Sequence, residues 1–199
     1  MMKMNIEIDK IFTGKTVTIV GSGPSLRGFD FSCLQHPIIG VNHSPKFHEA
    51  DMLVAIDGEF HKREKEFLDS FKGLKVTYND TIREDFIKVD LEVDYDIDNL
   101  NLDWHILKAN LSGYFALAIA LELGAGKVYL IGFDGGYEGD NPNFHEFAYR
   151  GPGMNYYDPV NRHYNFFTGH KIINVGLDSK IDAFKKVPLN TDFYELGKV

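Results

Sequence analysis

The sequence predicts an α/β fold in which a mostly parallel sheet carries helices on both faces, in a single domain over residues 1–199. Two observations predict it. Short apolar runs rich in β-branched residues alternate with helical segments, an order typical of parallel sheets. Each run also ends in small or polar residues, and ligands bind beyond such strand ends in open α/β sheets. A length of 199 residues suffices for one domain with a full core.

The first strand is expected at 16–20, where residues 17–20 form a β-branched run. It ends at Gly21-Ser22-Gly23, whose two glycines permit unusual backbone angles and leave room for a ligand. Pro24 favours the first turn of a helix, expected near 24–35. Free N–H groups and the positive end of that helix would bind an anion such as a nucleotide phosphate. An ordinary strand-to-helix turn is the alternative, since neither a dinucleotide fingerprint nor a P-loop follows.

The remaining elements follow in chain order. Residues 79–103 are acidic without the spacing of a calcium loop, so we expect a solvated, variable insertion that holds one strand. Residues 138–158 are rich in Gly, Pro, Asn and aromatics, which is typical of a long loop. The patterns predict strands at 37–41, 52–56, 74–78, 127–131 and 171–175, and helices at 59–71, 112–123, 158–167 and 178–184.

Small and polar residues follow five of the predicted strands. Because the carboxyl ends of parallel strands meet at one edge of a sheet, these residues predict a common cleft there. They are Gly21-Ser22-Gly23, Asn42-His43-Ser44, Asp57-Gly58, Asp134-Gly135-Gly136 and Asn174.

Composition excludes several classes of partner. The net charge of −8 argues against general affinity for nucleic acid or anionic membranes. The longest apolar run, 115–121, is far too short to span a membrane. The N-terminal residues lack an apolar signal segment, and the single cysteine, Cys33, excludes an internal disulfide. We therefore expect a soluble, cytoplasmic protein.

Three stretches together resemble two related enzyme groups. Gly21-Ser22-Gly23-Pro24-Ser25-Leu26 resembles the Gly-x-Gly-Pro-Ser-Leu opening of both. Residues 112–124, followed by 127–134, resemble their Ser/Gly-capped helix, strand and Gly-x-Asp ending. One group is the archaeal 6-hydroxymethylpterin diphosphokinase (MptE-like) family, which includes bacterial flagellin-modification accessory factors. The other is the bacterial lipo-oligosaccharide sialyltransferases. Residues 50–58 are similar to an MptE-like strand with a terminal Asp.

The resemblance implies a Rossmann-like fold that binds a nucleotide through the first glycine turn and through Ser112 and Gly113. Ser22 stands where these families often have Asn, so the contact there would differ. The chain is shorter than typical sialyltransferases, so an acceptor-binding lid would be reduced or missing. With the strand-end residues added, the expected nucleotide-binding set is Gly21, Ser22, Gly23, Ser25, Asn42, Ser112, Gly113, Asp134 and Tyr137.

Glycosyl transfer needs a base for the acceptor hydroxyl and groups that stabilise the departing phosphate. The sialyltransferases use a His within a His-Tyr-x-Gly-His segment, and tyrosines on the phosphate. Here the counterpart is split between His163-Tyr164 and Thr168-Gly169-His170. The resemblance therefore suggests His163 or His170 as the base. The candidate phosphate partners are Tyr137, Tyr156, Tyr157 and Tyr164.

Pyrophosphate transfer from ATP would instead need Mg²⁺ held by carboxylates. Asp57 and Asp134 both end strands at the predicted cleft and could hold it. Asp134 is equally suited to capping a turn or binding a ribose, and Asp57 could also cap.

The sequence thus predicts a nucleotide-dependent transferase, with a preference for sialic-acid-like glycosyl transfer by a His base that requires no cofactor. A Mg²⁺-dependent MptE-like diphosphokinase is the first alternative, and a non-catalytic nucleotide-binding or interaction domain is the second. The expected partners are a nucleotide or nucleotide sugar and a small-molecule or glycan acceptor. Pairing into a homo-oligomer is left open.

Overall fold

The computed structural model describes residues 2–5, 9–78, 83–93, 112–136, 143–145, 161–190 and 192–196. Its strands are β1 (Met2–Asn5), β2 (Thr16–Val20), β3 (Ile38–Val41), β4 (Met52–Val54), β5 (Leu74–Thr77), β6 (Ile87–Lys88), β7 (Asp90–Val93), β8 (Lys127–Ile131), β9 (Ile172–Val175) and β10 (Lys185–Val187). Within these residues, eight strands form one sheet in the order β10-β9-β8-β2-β3-β4-β5-β6. All of its neighbours pair in parallel, which confirms the Rossmann-like sheet. β1 and β7 form a separate antiparallel pair.

The helices are α1 (Gly58–Arg63), α2 (Lys65–Ser70), α3 (Ser112–Glu122) and α4 (Phe193–Leu196) in the described part of the chain. α3 confirms the helix predicted at 112–123. The helix predicted at 59–71 is divided at Glu64, whose φ of −101° and ψ of 27° leave the helical region. The helix predicted at 178–184 is wrong, because the structure describes all of these residues as turns, bends or irregular segments.

The helix predicted at 24–35 is wrong. Two short 3₁₀ turns, Pro24–Leu26 and Phe31–Cys33, stand in its place. Gly28 adopts a φ of +74° between them, which ends the first turn. The Asp30 carboxylate then accepts a hydrogen bond from the Ser32 N–H at 2.9 Å and caps the second turn.

Side chains alternate between the two faces of the sheet. Ile19 and Leu130 belong to one core cluster with α3. On the other face, Leu53 packs with α1 and α2, and Tyr129 packs with Phe193 of α4. Every strand residue of β2 after Thr16 is buried, as expected for the central strand of a covered parallel sheet.

Part of the acidic stretch 79–103 is described, and it contributes β6 and β7 rather than the one strand expected. β6 extends the main sheet by pairing with β5. Arg83 bridges Asp69 of α2 and Asp85, and Lys75 of β5 also contacts Asp85, at 2.6 Å. These ion pairs hold the start of the stretch against the sheet. Across the described helices, the apolar segments are too short for a membrane crossing.

We expect His61 to make the fold sensitive to mild acid. The His61 side chain is buried, with Nε2 3.0 Å from the Ala55 carbonyl oxygen, so Nε2 carries the proton. Burial, only partly offset by that hydrogen bond, lowers the pKa of His61 below 6.5. As the pH falls, His61 therefore takes up a proton in the unfolded chain before it does so in the folded protein. The stability that neutral His61 contributes is present above about pH 6.5, and it is lost as the pH falls through the pKa of the folded protein.

The test compares urea denaturation between about pH 7.5 and 5.5. The free energy of unfolding should fall less steeply in His61→Gln than in the wild type. His170→Gln makes the same substitution at an exposed side chain, and it is the control for the general effect of replacing histidine by glutamine. A His61→Gln profile parallel to that of the wild type would show that His61 does not cause the loss.

Candidate functional site

The candidate site lies where the order of the strands reverses. From β2 the chain proceeds through β3 to β6 on one side of the sheet and then returns to β8 on the other. The carboxyl ends of β2 and β8 therefore flank a topological switch point, where open α/β sheets form a crevice. Gly21–Gly23 follow β2 and Gly132–Asp134 follow β8 at this edge.

The two turns interlock through their backbones. The Gly21 N–H donates to the Ile131 carbonyl at 2.8 Å, and the Gly23 N–H donates to the Gly132 carbonyl at 2.9 Å. A Cβ atom at Gly21 would lie 2.6 Å from the Gly132 oxygen, and one at Gly23 would lie 2.5 Å from the Asp134 carboxylate. Real Cβ atoms do not approach this closely. Both glycines are therefore required by the neighbouring turn, and not only by room for a ligand.

Asp134 holds the glycine turn with both carboxylate oxygens. The Ser25 N–H donates to Oδ2 at 2.8 Å, and the Ser25 hydroxyl donates to Oδ1 at 2.6 Å. Asp134 therefore caps the 3₁₀ turn that follows β2. This geometry gives Ser25 and Asp134 a structural contact with each other, whereas the sequence placed both on the nucleotide.

The anion cradle predicted at the glycine turn does not form as expected. The N–H groups of Gly21, Gly23 and Ser25 donate to protein oxygens, and that of Leu26 donates to the Gly23 carbonyl. Pro24 has no N–H. The turn that begins there has only three residues, so it has no helix dipole to offer. Among the described residues, the Ser22 N–H has no acceptor.

The start of α3 forms a second wall of the crevice. α3 packs across β2, β3 and β4, and its C-terminal end lies near Phe12, whose N–H donates to the Leu123 carbonyl. Its first residue, Ser112, therefore lies at the carboxyl edge of the sheet and is buried. The first N–H groups of this 11-residue helix have no acceptor within the helix, and this end carries a positive partial charge. The start of α3 is thus the part of this edge whose partial charge favours an anion.

Gly113 contacts the turn after β8. A Cβ atom there would lie 2.8 Å from the Phe133 ring. A bulky residue at Gly113 would obstruct any ligand at the start of α3. The structure indicates that such a residue would also displace Phe133, next to Asp134, so it would disturb the packing as well.

Asn42 follows β3 at the same edge with a φ of 51°. A non-glycine residue in this region is uncommon, and such backbone angles concentrate at functional sites. The Asn42 N–H donates to the Val54 carbonyl at 3.1 Å, which fixes the backbone. Its side-chain oxygen Oδ1 is buried and has no hydrogen-bond donor among the described residues. A buried amide oxygen of this kind is suited to accept a hydrogen bond from a ligand.

Beside Asn42, a cluster of imidazoles and charges surrounds Glu64. His43 Nε2 lies 3.0 Å from Glu64 Oε1, and Lys46 pairs with Oε2. Burial raises the pKa of Glu64, but hydrogen bonds from Lys46 and His43 outweigh it and leave that pKa lowered. The His145 ring lies 5.1 Å from that of His43. Burial, helped by His43 and Lys46, lowers the pKa of His145 to about 4, so its ring is neutral at pH 7.

Sequence reasoning missed Lys46, Glu64 and His145 as members of this cluster. Local patterns carried no signal for them, because the three belong to separate connections that only the fold brings together. The Phe144 N–H donates to the Ser22 carbonyl at 3.0 Å, so the segment 143–145 joins the cluster to the glycine turn.

Of the expected catalytic residues, the structure describes the side chains of His170 and Tyr164. His170 precedes β9, whose first residue pairs with Val128, so it lies exposed at the opposite edge from the crevice. Tyr164 is 4% exposed and packs on Tyr114, and burial raises its pKa. It is therefore a core residue. His163 lies on the 3₁₀ helix Arg162–Phe167, and its side chain is outside the described residues, as are Tyr137, Tyr156 and Tyr157.

The remaining predicted polar groups have structural roles. Asp57 Oδ1 accepts a hydrogen bond from the Glu59 N–H at 2.8 Å and caps α1. Of the two roles considered for Asp57, metal ligand and cap, the structure shows the cap. Asn174 lies within β9, not after it, and its amide donates to the Phe133 carbonyl at 3.3 Å and to the Ser179 hydroxyl at 2.7 Å. In the described ranges, no group of three or more His, Cys, Asp or Glu side chains could hold a metal ion.

Fold and crevice together place the chain in the Rossmann-like α/β class. No family model and no curated protein matches it. Among solved structures, it is similar to the sialyltransferase CstII from Campylobacter jejuni in complex with a substrate analogue, cytidine-5'-monophosphate. The TM-score is 0.53 at 16% identity, over 90% of this chain and 86% of that one. This similarity supports the sialyltransferase-like fold, whereas the MptE-like relation stays a prediction.

The contact between Ser25 and Asp134 should be measurable as a coupling energy. Asp134→Ala leaves two donors of Ser25 without their acceptor, so we expect the free energy of unfolding to fall by about 1–3 kcal/mol. Ser25→Ala loses only the hydroxyl bond and should cost about 1 kcal/mol. Urea denaturation of the single and double variants should give a coupling of about 0.5–2 kcal/mol. Strictly additive effects would contradict the contact.

Proposed function

We propose that this protein is a glycosyltransferase that uses a nucleotide sugar, with a CMP-linked, sialic-acid-like donor as the first candidate. The observation that supports this most is the similarity of fold to a sialyltransferase over 90% of the chain. The crevice between β2 and β8 lies where such folds bind ligands.

In this proposal the nucleotide contacts three features of the crevice. The phosphate lies at the start of α3, where Ser112 and Gly113 begin the helix and anions are favoured. The Ser22 N–H adds a donor from the glycine turn. The buried Oδ1 of Asn42 accepts from a ribose hydroxyl or an amino group of the base. Gly21 and Gly23 act indirectly, because they let the two turns approach each other.

The proposed reaction transfers the sugar from phosphate to an acceptor hydroxyl. A histidine takes the hydroxyl proton while the acceptor oxygen bonds to the anomeric carbon and the bond from that carbon to phosphate oxygen breaks. The nucleoside monophosphate leaves with the electron pair of that bond. His163 remains the proposed base, with Tyr137 as a phosphate partner. His170 and Tyr164 are not carried forward, because one lies at the opposite edge and the other in the core.

No observation favours the Mg²⁺-dependent diphosphokinase. Asp57 and Asp134, the carboxylates that it would use, cap α1 and the glycine turn.

Ligand binding tests the proposal directly. Thermal unfolding is measured with CMP, CMP-sialic acid, UDP- and GDP-sugars and ATP, each with and without Mg²⁺. We expect CMP or a nucleotide sugar to raise the melting temperature equally with and without the metal, because a ligand at about 100 times its Kd stabilises the fold by about 2.7 kcal/mol. A shift by ATP only with Mg²⁺ would favour the diphosphokinase. No shift with any ligand would refute nucleotide binding.

Asn42→Gly tests where the nucleotide binds. Glycine tolerates the φ of 51°, so this variant removes the amide while keeping the backbone conformation. We expect the Kd for the stabilising nucleotide to rise about tenfold, the equivalent of about 1.4 kcal/mol. Gly169→Ala is the control, since a Cβ atom there meets nothing within 4 Å. An unchanged Kd in a folded Asn42→Gly protein would remove Asn42 from the site.

A further inference from the structure

Lys180 lies on the turn that follows β9, at the carboxyl edge of the sheet. β9 is a neighbour of β8, and Val175 pairs with Ile131 where the two strands end. The Lys180 N–H donates to the Asp134 carbonyl oxygen at 2.7 Å, so the turns after β8 and β9 are joined there. The Lys180 side chain runs beside Gly136, where a Cβ atom would lie 3.6 Å from Lys180 Cγ. Lys180 therefore belongs to the same edge of the sheet as the crevice.

The segment that carries Lys180 packs on the face of the sheet that α3 covers. The following residue, Ile181, belongs to the core cluster that contains α3. The preceding residue, Ser179, donates its hydroxyl to the Phe133 carbonyl oxygen at 2.7 Å. The Phe133 ring in turn lies against Gly113. Phe133 therefore contacts both the segment of Lys180 and the first turn of α3.

The Lys180 side chain is exposed and has no ion pair in the described part of the chain. The acidic residues on its own turn are Asp178 and Asp182, and both are exposed. Asp182 pairs with Lys186, which is the main cause of its lowered pKa, whereas Lys180 contributes least to that shift. The ammonium group of Lys180 is therefore not neutralised by a neighbouring carboxylate.

Lys46 and Arg27, which also lie near this edge, have partners of their own. Lys46 pairs with Glu64, and Arg27 Nη2 lies 3.4 Å from the Asn143 carbonyl oxygen. The chain has a net charge of −8, so its overall field opposes the approach of an anion. A cation at the crevice offsets that field locally, and lysine binds phosphate as a point charge. Lys180 is suited to this role by its position and its lack of an ion pair.

We infer that Lys180 pairs with the phosphate of the nucleotide at the start of α3. The phosphate gains negative charge when its bond to the sugar breaks, so a cation beside it also stabilises the departing nucleoside monophosphate. This inference rests on the proposed function, because it supplies a cation for the nucleotide of that reaction.

A charge series at position 180 tests the inference. Lys180→Met removes the charge from a side chain of similar length, Lys180→Arg keeps the charge, and Lys180→Glu reverses it. Each variant retains the backbone N–H that donates to Asp134. Lys171→Met is the matched control, because Lys171 is an exposed lysine immediately before β9, at the opposite edge of the sheet. The Kd for CMP is measured by calorimetry at about 0.1 M and about 1 M salt, between which the Debye length falls from about 10 Å to about 3 Å.

At the lower salt concentration, we expect CMP to bind Lys180→Met about tenfold more weakly than the wild type, and Lys180→Glu more weakly still. Lys180→Arg and Lys171→Met should keep the wild-type Kd within about twofold. At the higher salt concentration, the difference between the wild type and Lys180→Met should shrink, because screening weakens the ion pair.

Two results would overturn the inference while leaving nucleotide binding intact. One is an equal Kd for CMP in the wild type and Lys180→Met. The other is an equal loss of affinity in Lys180→Arg and Lys180→Met, which would show that the charge is not what matters. A wild type that does not bind CMP would instead refute the proposed CMP-linked donor, and this inference with it.

Discussion

The close approach of two turns is the constraint on which the rest of this structure depends. β2 and β8 are neighbours in the sheet, and the segments after them are held together by backbone hydrogen bonds from Gly21 and Gly23. Cβ atoms on either glycine would collide with Gly132 or Asp134. The carboxylate of Asp134 then fixes Ser25, which ends the glycine turn. Without this approach, the crevice at the switch point would have no defined walls.

This constraint changes the role that can be assigned to the glycine motif. Most N–H groups of the turn serve the neighbouring turn, so the turn shapes the crevice more than it binds an anion. The positive end of α3, which begins at the same edge, is better placed for a phosphate. On a chain with a net charge of −8, such a local feature matters, because the overall field repels anionic ligands.

The neutral histidines at this edge follow from the same packing. His43 and His145 lie together because the segment 143–145 is hydrogen-bonded to the glycine turn and extends to the end of β3. Burial makes their charged forms unfavourable, so the edge presents uncharged imidazoles near pH 7.

The parallel sheet could be predicted because its strands are buried on both faces and therefore read as continuous apolar runs. β10 could not, since Lys185 and Lys186 give it the composition of a surface segment. The helix predicted after Pro24 failed because Gly28 adopts a left-handed conformation that composition alone does not reveal.

The position of the site was predictable from the strand-end rule, but its contacts were not. Ser25 and Asp134 are 109 residues apart, and no local pattern assigns one to the other. No local pattern assigns His43 to Glu64 either, although Glu64 lies between the two helices that follow β4. Asn42 was named from its place after a strand, whereas its left-handed backbone and buried Oδ1 became visible only in the fold.

The measurement that tests this account most directly is a crystal structure of the protein grown with CMP. The account predicts the nucleotide at the carboxyl edge of the sheet, with its phosphate at the start of α3 and a ribose or base donor on Asn42 Oδ1. The Ser25–Asp134 contact should remain intact in that complex. A nucleotide bound elsewhere, or a phosphate that displaces Asp134 from Ser25, would contradict it.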